Sequence, residues 1–161
     1  MILIPYEKFE IQTAKSDTEV LGKIAQLTDG PSLKLLFYPP ADSKPFVGTI
    51  TGSRFKIRRI IRYRNSFMPI ICGRVENSTL FLTARLHAIV AVFMSLWLSG
   101  VFFAFIGSFI PGIDENSPTA PVVLRMGSGA MFIFGYLLCL LSFRFELKKA
   151  KKILEGYFYK D

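Results

Sequence analysis

Three groups of residues in this chain carry side chains suited to chemistry. The first is a run of cations, Arg54, Lys56, Arg58, Arg59, Arg62 and Arg64, interleaved with Phe55 and Tyr63. Guanidinium groups grip phosphate through paired N–H donors, so such a run suits lipid headgroups, nucleotides or nucleic acid. A solvated strand face beside an anionic membrane has the same pattern. No RNA- or DNA-binding signature accompanies the charge, so nucleic acid is not an expected partner. The second group pairs Cys72 with the sole histidine, His87, a nucleophile and a base in principle. Cys72 lies in an apolar run with no local catalytic signature, and a packed thiol and an interfacial imidazole describe the two better. No catalytic residue is assigned. One His and one accessible Cys do not make a ligand set, and Gly48, Gly52 and Gly73 read as strand and turn glycines, not a phosphate loop. Neither metal nor cofactor is expected. The third group is the basic tail, Arg144, Lys148, Lys149, Lys151 and Lys152, suited to an anionic membrane surface.

The elements that must position the first group follow from period-2 alternation. Residues 46–51 and 54–58 read as strands around the turn pair Gly52-Ser53, and 70–76 and 79–86 as a second hairpin around Asn77-Ser78. In the second strand Arg54, Lys56 and Arg58 share one face and Phe55 and Ile57 the other, which makes one face basic. Upstream, Phe9, Ile11 and Thr13 alternate in a short strand. The capping-box spacing Ser16 to Glu19 then predicts a helix carrying Val20, Leu21, Ile24 and Leu27 on one side, stopped by Asp29-Gly30-Pro31. Residues 33–38 fit either a strand or packed chain. The fold class expected is an α+β head, one helix on a mostly antiparallel sheet, over residues 1–87.

Beyond the head the composition changes. Half the chain is hydrophobic (51%), and much of that sits between residues 88 and 143. Residues 88–110 hold no charge and would extend roughly 34 Å as a helix, slightly more than a hydrocarbon core. Residues 126–143 are again uncharged and extend back to 122 if Arg125 snorkels to the surface. This predicts a transmembrane hairpin, with spans at about 88–110 and 122–143 and an external loop at 111–121. A short amphipathic C-terminal helix should follow over 144–161, with Leu147, Ala150, Ile153, Leu154, Tyr157 and Phe158 against the inner membrane surface. Only one residue, His87, separates the last strand from the first span, so head and membrane should be mechanically close.

Charge sets the expected orientation. The chain carries 20 Lys and Arg against 12 Asp and Glu, a net +8. The excess lies in the head and tail, while the loop between the spans has neither Lys nor Arg. Both termini should therefore be cytoplasmic. The opening Met1-Ile-Leu-Ile-Pro5 lacks the basic region and apolar length of a signal peptide, and the two cysteines suit a reducing compartment.

Small residues mark faces for helix packing. The first span has two stripes, Ala91, Ser95 and Ser99, and Gly100, Ala104 and Ser108; the second has one, Ser128, Gly135 and Cys139. A hairpin uses one stripe of the first span, and the other is then expected to mediate a homo-oligomer.

Tyr63-Arg-Asn-Ser-Phe-Met-Pro69, with Phe46-x-Gly48 before it and Arg85-Leu-His87 after it, resembles bacterial membrane proteins that carry a small head before two spans. The resemblance covers residue 46 to about residue 97. It implies localisation in a bacterial inner membrane and carries no activity.

The expected function is a multi-pass membrane anchor, adaptor or sensor for an unidentified ligand or protein partner, with anionic lipid headgroups as the membrane contact. An oligomeric pore or membrane-disrupting effector gated by the head is the alternative, and a membrane-bound enzyme is a third reading.

Overall fold

The computed structural model describes residues 4–32, 39–110 and 120–158, the side chains of 120 and 121 excepted. The expectations for 33–38 and for the external loop with Asp114 and Glu115 lie outside the described residues. By its contacts the chain divides into two units, Met1–His87 with Ser142–Asp161, and Ala88–Leu141.

In the first unit the alternating segments form strands β1 (Tyr6–Gln12), β2 (Thr28–Asp29), β3 (Phe46–Thr51), β4 (Arg54–Arg59), β5 (Ile70–Glu76) and β6 (Thr79–Arg85). They make a six-stranded mixed sheet in the order β1-β6-β5-β4-β3-β2. Among the described residues only the β2–β3 pairing is parallel. Both predicted turns carry positive φ, which Gly52 and Asn77 tolerate and which the two-residue hairpin imposes on Ser78. Gly52 sits at φ +56°, and Asn77 and Ser78 at +53° and +58°, the left-handed geometry of a two-residue hairpin. Two strand glycines answer to contact instead. A side chain on Gly48 would strike the backbone of Lys56, and one on Gly73 would strike the ring of Phe55, its cross-strand partner.

The helix α1 (Asp17–Leu27) carries the chain from one edge strand to the other. Its predicted capping box is present: Ser16 N donates to Glu19 Oε2 at 2.9 Å, and Glu19 N to Ser16 Oγ at 3.4 Å. The backbone donor of Ser16 holds the Glu19 carboxyl below its usual range. That contribution is present above the ordinary carboxylate pKa and fades as pH falls through the lowered value. Ser16→Ala should cost about 1 kcal/mol, read as lost amide-exchange protection across α1. The helix does not stop as the sequence predicts. Instead of a glycine cap at Gly30, Thr28 takes an extended conformation (φ −120°, ψ 126°) and the chain enters β2 directly. The last carbonyls are met by Lys44, whose Nζ donates to Ala25 O and Thr28 O at 3.0 and 3.2 Å.

The tail also differs from expectation. One unbroken helix, here α3, runs Ala120–Phe158, so the tail is not a separate helix. No Gly or Pro interrupts the junction at Phe143-Arg144, and Glu146 to Lys152 are all good helix formers. Phe143, Leu147, Ala150, Leu154 and Phe158 are buried in the core of the first unit. Together with Val20, Ile24 and Leu27 of α1 they cover the sheet face formed by Ile11, Phe46, Phe55, Ile57, Ile71, Val75, Leu80, Leu82 and Ala84. Lys23 Nζ of α1 donates to Tyr157 O of α3 at 3.4 Å, so both helices lie on this one face.

The second unit is a helix pair, α2 (Ala88–Gly107) and the first part of α3. Both helices are long and apolar enough to cross a membrane, and only 6% of the α2 span is buried. Their packing is large into small. The Trp97 ring lies against Gly135, Phe105 lies against Gly129, and Arg125 donates to Ser108 O at 2.9 and 3.0 Å. Positions rise along α2 as they fall along α3, which makes the pair antiparallel.

Candidate functional site

Side-chain alternation divides the predicted cations between two faces. Arg54, Lys56 and Arg58 project from the face that no described helix covers, while Arg59, one residue on, turns to the covered face. There it meets Glu146 of α3, which is 2% exposed. Arg59 Nε donates to Glu146 Oε2 at 3.1 Å, and Tyr63 Oη donates to Oε1. Arg59 Nη2 also reaches Tyr63 Oη at 2.8 Å, and Lys149 Nζ lies 4.0 Å from the carboxylate. Four side chains from β4, the following loop and α3 thus form one ionic node. Arg62 is exposed and donates to Ala41 O at 3.2 Å, and Arg64 is exposed.

The tail cations separate in the same way. Lys149 stays partly exposed at the surface, over the rings of Tyr63 and Phe145. Lys151 pairs with Glu7 and lies over Phe9 on β1. Lys148 and Lys152 face solvent, and Arg144 is half-buried.

What alternation could not assemble is the uncovered face as a whole, because that needs the strand register. Arg54 lies directly opposite Arg74, and Arg74 opposite Phe81, with the guanidinium 5.1 Å from the ring centroid. The next row runs Thr49, Lys56, Cys72, Thr83 and Lys8, and the next Val47, Arg58, Ile70, Arg85 and Tyr6. Six cations therefore share a face on which Glu10, Glu76 and Asp29 are the acids among the described residues, Glu76 pairing with Arg74 at 3.3 Å and Asp29, beside Val47, with Lys44 at 3.9 Å. Like charges set opposite one another, as Arg54 and Arg74 are, cost stability, a cost that an anion on this face would offset. Arg74, Arg85 and Lys8 were missed as site residues. Their signal was the period-2 placement of 70, 72 and 74 against 81, 83 and 85, once the Asn77-Ser78 turn fixes the pairing.

Within this face a pocket of about 400 Å³ opens between Val47, Thr49, Lys56, Arg58, Ile70 and His87, beside Pro31 and Ser32. Arg58 is half-buried, and its Nε is enclosed without a hydrogen-bond partner. Burial pushes its pKa down from the ordinary value, although a guanidinium stays charged near neutrality. Cys72 is half-buried in the neighbouring row. It stands across from Lys56, while His87 lines the pocket.

In the helix pair, Ser128, Gly135 and Cys139 of the α3 stripe lie buried between the helices, as does Ser108. Ser95, Ser99, Gly100 and Ala104 are exposed and Ala91 is half-buried. The α2 side chains that fill the α3 stripe are large, Trp97 and Phe105, a complementarity that a search for small-residue stripes on both helices does not detect. Comparison with family models, curated proteins and solved structures finds no match for this chain.

Proposed function

We propose that this chain is a two-span membrane protein, with both termini cytoplasmic, that acts as an anchored docking platform. Its head offers the uncovered basic sheet face to anionic lipid surfaces. The observation that carries the reading is the asymmetry of the sheet: one face is closed by α1 and α3, and the other, covered by no described helix, holds Arg54, Lys56, Arg74, Arg85 and Lys8 exposed and Arg58 half-buried. Membrane insertion is supported by the outward side chains of the helix pair, among them Phe93, Leu96, Phe103 and Phe134, each more than 60% exposed. An apolar surface of that kind needs lipid or a partner to cover it. An anchor suits the hairpin better than a pore does, because four of its described polar side chains bond within it. Ser95, Ser108 and Ser128 donate to carbonyls of their own helices, and Arg125 donates to Ser108 O.

The test uses the full chain in phosphatidylcholine nanodiscs, challenged with separate vesicles of phosphatidylcholine or phosphatidylglycerol. Phosphatidylglycerol vesicles should be captured, with capture falling as salt rises. At ~1 kcal/mol per basic residue near an anionic surface, Arg54→Gln with Arg74→Gln should weaken capture roughly 30-fold. Equal capture of neutral vesicles, or capture indifferent to salt, would overturn the proposal. Orientation is tested separately by placing a cysteine at Asn116, which an impermeant reagent should label from outside the cell.

A further inference from the structure

We propose that the pocket around Arg58 is a discrete binding site for a phosphate ester carrying a short apolar body, an inference that rests on reading the uncovered face as an anion-docking surface. Three observations converge on it. The first is an uncompensated charge: Arg58 has no carboxylate partner among the described residues, whereas Arg59 beside it is paired with Glu146 and Lys151 with Glu7. Burying a cation without a counter-charge is costly, and an enclosed Nε with no acceptor adds an unmet donor. An anion supplies both. The second is the mixture of groups around the opening. Lys56, His87 and Thr49 add polar contacts beside Arg58, while Val47 and Ile70, its two cross-strand neighbours, provide an apolar floor. The third is size, since about 400 Å³ lies within the range of small-molecule sites and would hold a phosphate with a few carbons.

A carboxylate would meet the charge equally well, but a phosphate fits the spread of donors better. Arg58 presents a planar fork and Lys56 a point charge from the adjacent row of the strand, so they approach one anion from different directions. Three or four acceptor oxygens in a tetrahedral arrangement can answer both. The phosphate could belong to a lipid headgroup or to a soluble ester, and the chemistry at Arg58 is the same.

The experiment uses the full chain in phosphatidylcholine nanodiscs with butyl phosphate as the probe, followed by ligand-observed phosphorus NMR and by thermal protection. Saturable binding is expected, tighter than that of inorganic phosphate because the butyl group covers the apolar floor. Arg58→Gln should weaken it at least tenfold, in line with the loss of a charge-assisted hydrogen bond. Lys56→Gln, at an exposed position that does not bear on folding, should weaken it several-fold, and Arg58→Lys should fall between wild type and Arg58→Gln. Repeating the titration in phosphatidylglycerol discs separates the sources: competition by the disc lipid identifies a headgroup, and unchanged binding identifies a soluble ester. If butyl phosphate fails to saturate, or binds the Arg58→Gln and Lys56→Gln chains as it binds wild type, the pocket is not a phosphate site. That failure is distinct from failure of the docking platform, which is read from vesicle capture and from Arg54 and Arg74, outside the pocket.

Discussion

Arg59→Met should destabilise the head by about 3–5 kcal/mol, the cost of stranding a buried carboxylate. Glu146 is 2% exposed, and Arg59 supplies its only cationic contact closer than 4.0 Å among the described residues. Once Arg59 is gone, Tyr63 and the more distant Lys149 cannot replace a two-nitrogen contact. Glu146→Leu should be nearly as damaging for the converse reason, since Arg59 then points at an apolar side chain with its charge desolvated. The double replacement, Arg59→Met with Glu146→Leu, is expected to recover most of the loss, because the ions had been drawn from water only to meet each other. The measurement is a double-mutant cycle on the full chain in detergent, using the urea midpoint of amide-exchange protection in β4 and in α3 beyond residue 142. Additive losses would mean that the two side chains act independently and that the node does not hold α3 to the sheet.

Much of the head was legible because its signals are local. Gly52-Ser53 and Asn77-Ser78 each specify a turn, and the alternation on either side then fixes β3 to β6 nearly to the residue. Ser16 and Glu19 announce α1 for the same reason. What lay beyond the sequence reading involves a choice between partners. The stripe Leu147, Ala150, Leu154 and Phe158 is visible as an amphipathic pattern, but a pattern states only that a face is apolar. Lipid and a β-sheet satisfy it equally, and the nearby bilayer drew the reading toward lipid. One residue argued against that choice. Glu146 lies on the same side as Phe143 and Ala150, and an acid on an apolar helix face needs a buried partner, which a membrane surface does not provide. The strand Thr28–Asp29 has no such signal, since two residues are too few for any periodicity. The candidate site was half legible: Arg54, Lys56 and Arg58 follow from alternation in one strand. Arg74, Arg85 and the pocket depend on register across three strands, and Arg59 was counted with the basic group although the same alternation places it on the opposite face.

The position of the last helix leads to a test that separates its two possible supports. If residues 144–158 lay on an anionic membrane, their lysines would supply much of the attraction, at ~1 kcal/mol each, and shaving one leucine would subtract a modest hydrophobic increment. Packed on the sheet, the balance reverses. Leu154 is 0% exposed in the core of the first unit, so Leu154→Ala loses the transfer energy of its side chain and leaves a cavity, together about 2–5 kcal/mol. Lys148 and Lys152 are exposed, so Lys148→Gln with Lys152→Gln should change stability by no more than about 0.5 kcal/mol per site. Amide exchange in β1 and β6 of the full chain in detergent reads both, because those strands are remote in sequence from position 154 and lose protection only if the helix is part of their fold. Leu154→Ala should accelerate exchange there by more than tenfold, the factor that corresponds to losing over 1.4 kcal/mol. The lysine pair should leave it unchanged. Should the lysine pair instead unprotect the sheet while Leu154→Ala does not, the helix is held by charge from outside the head, and the buried stripe has no part in its stability.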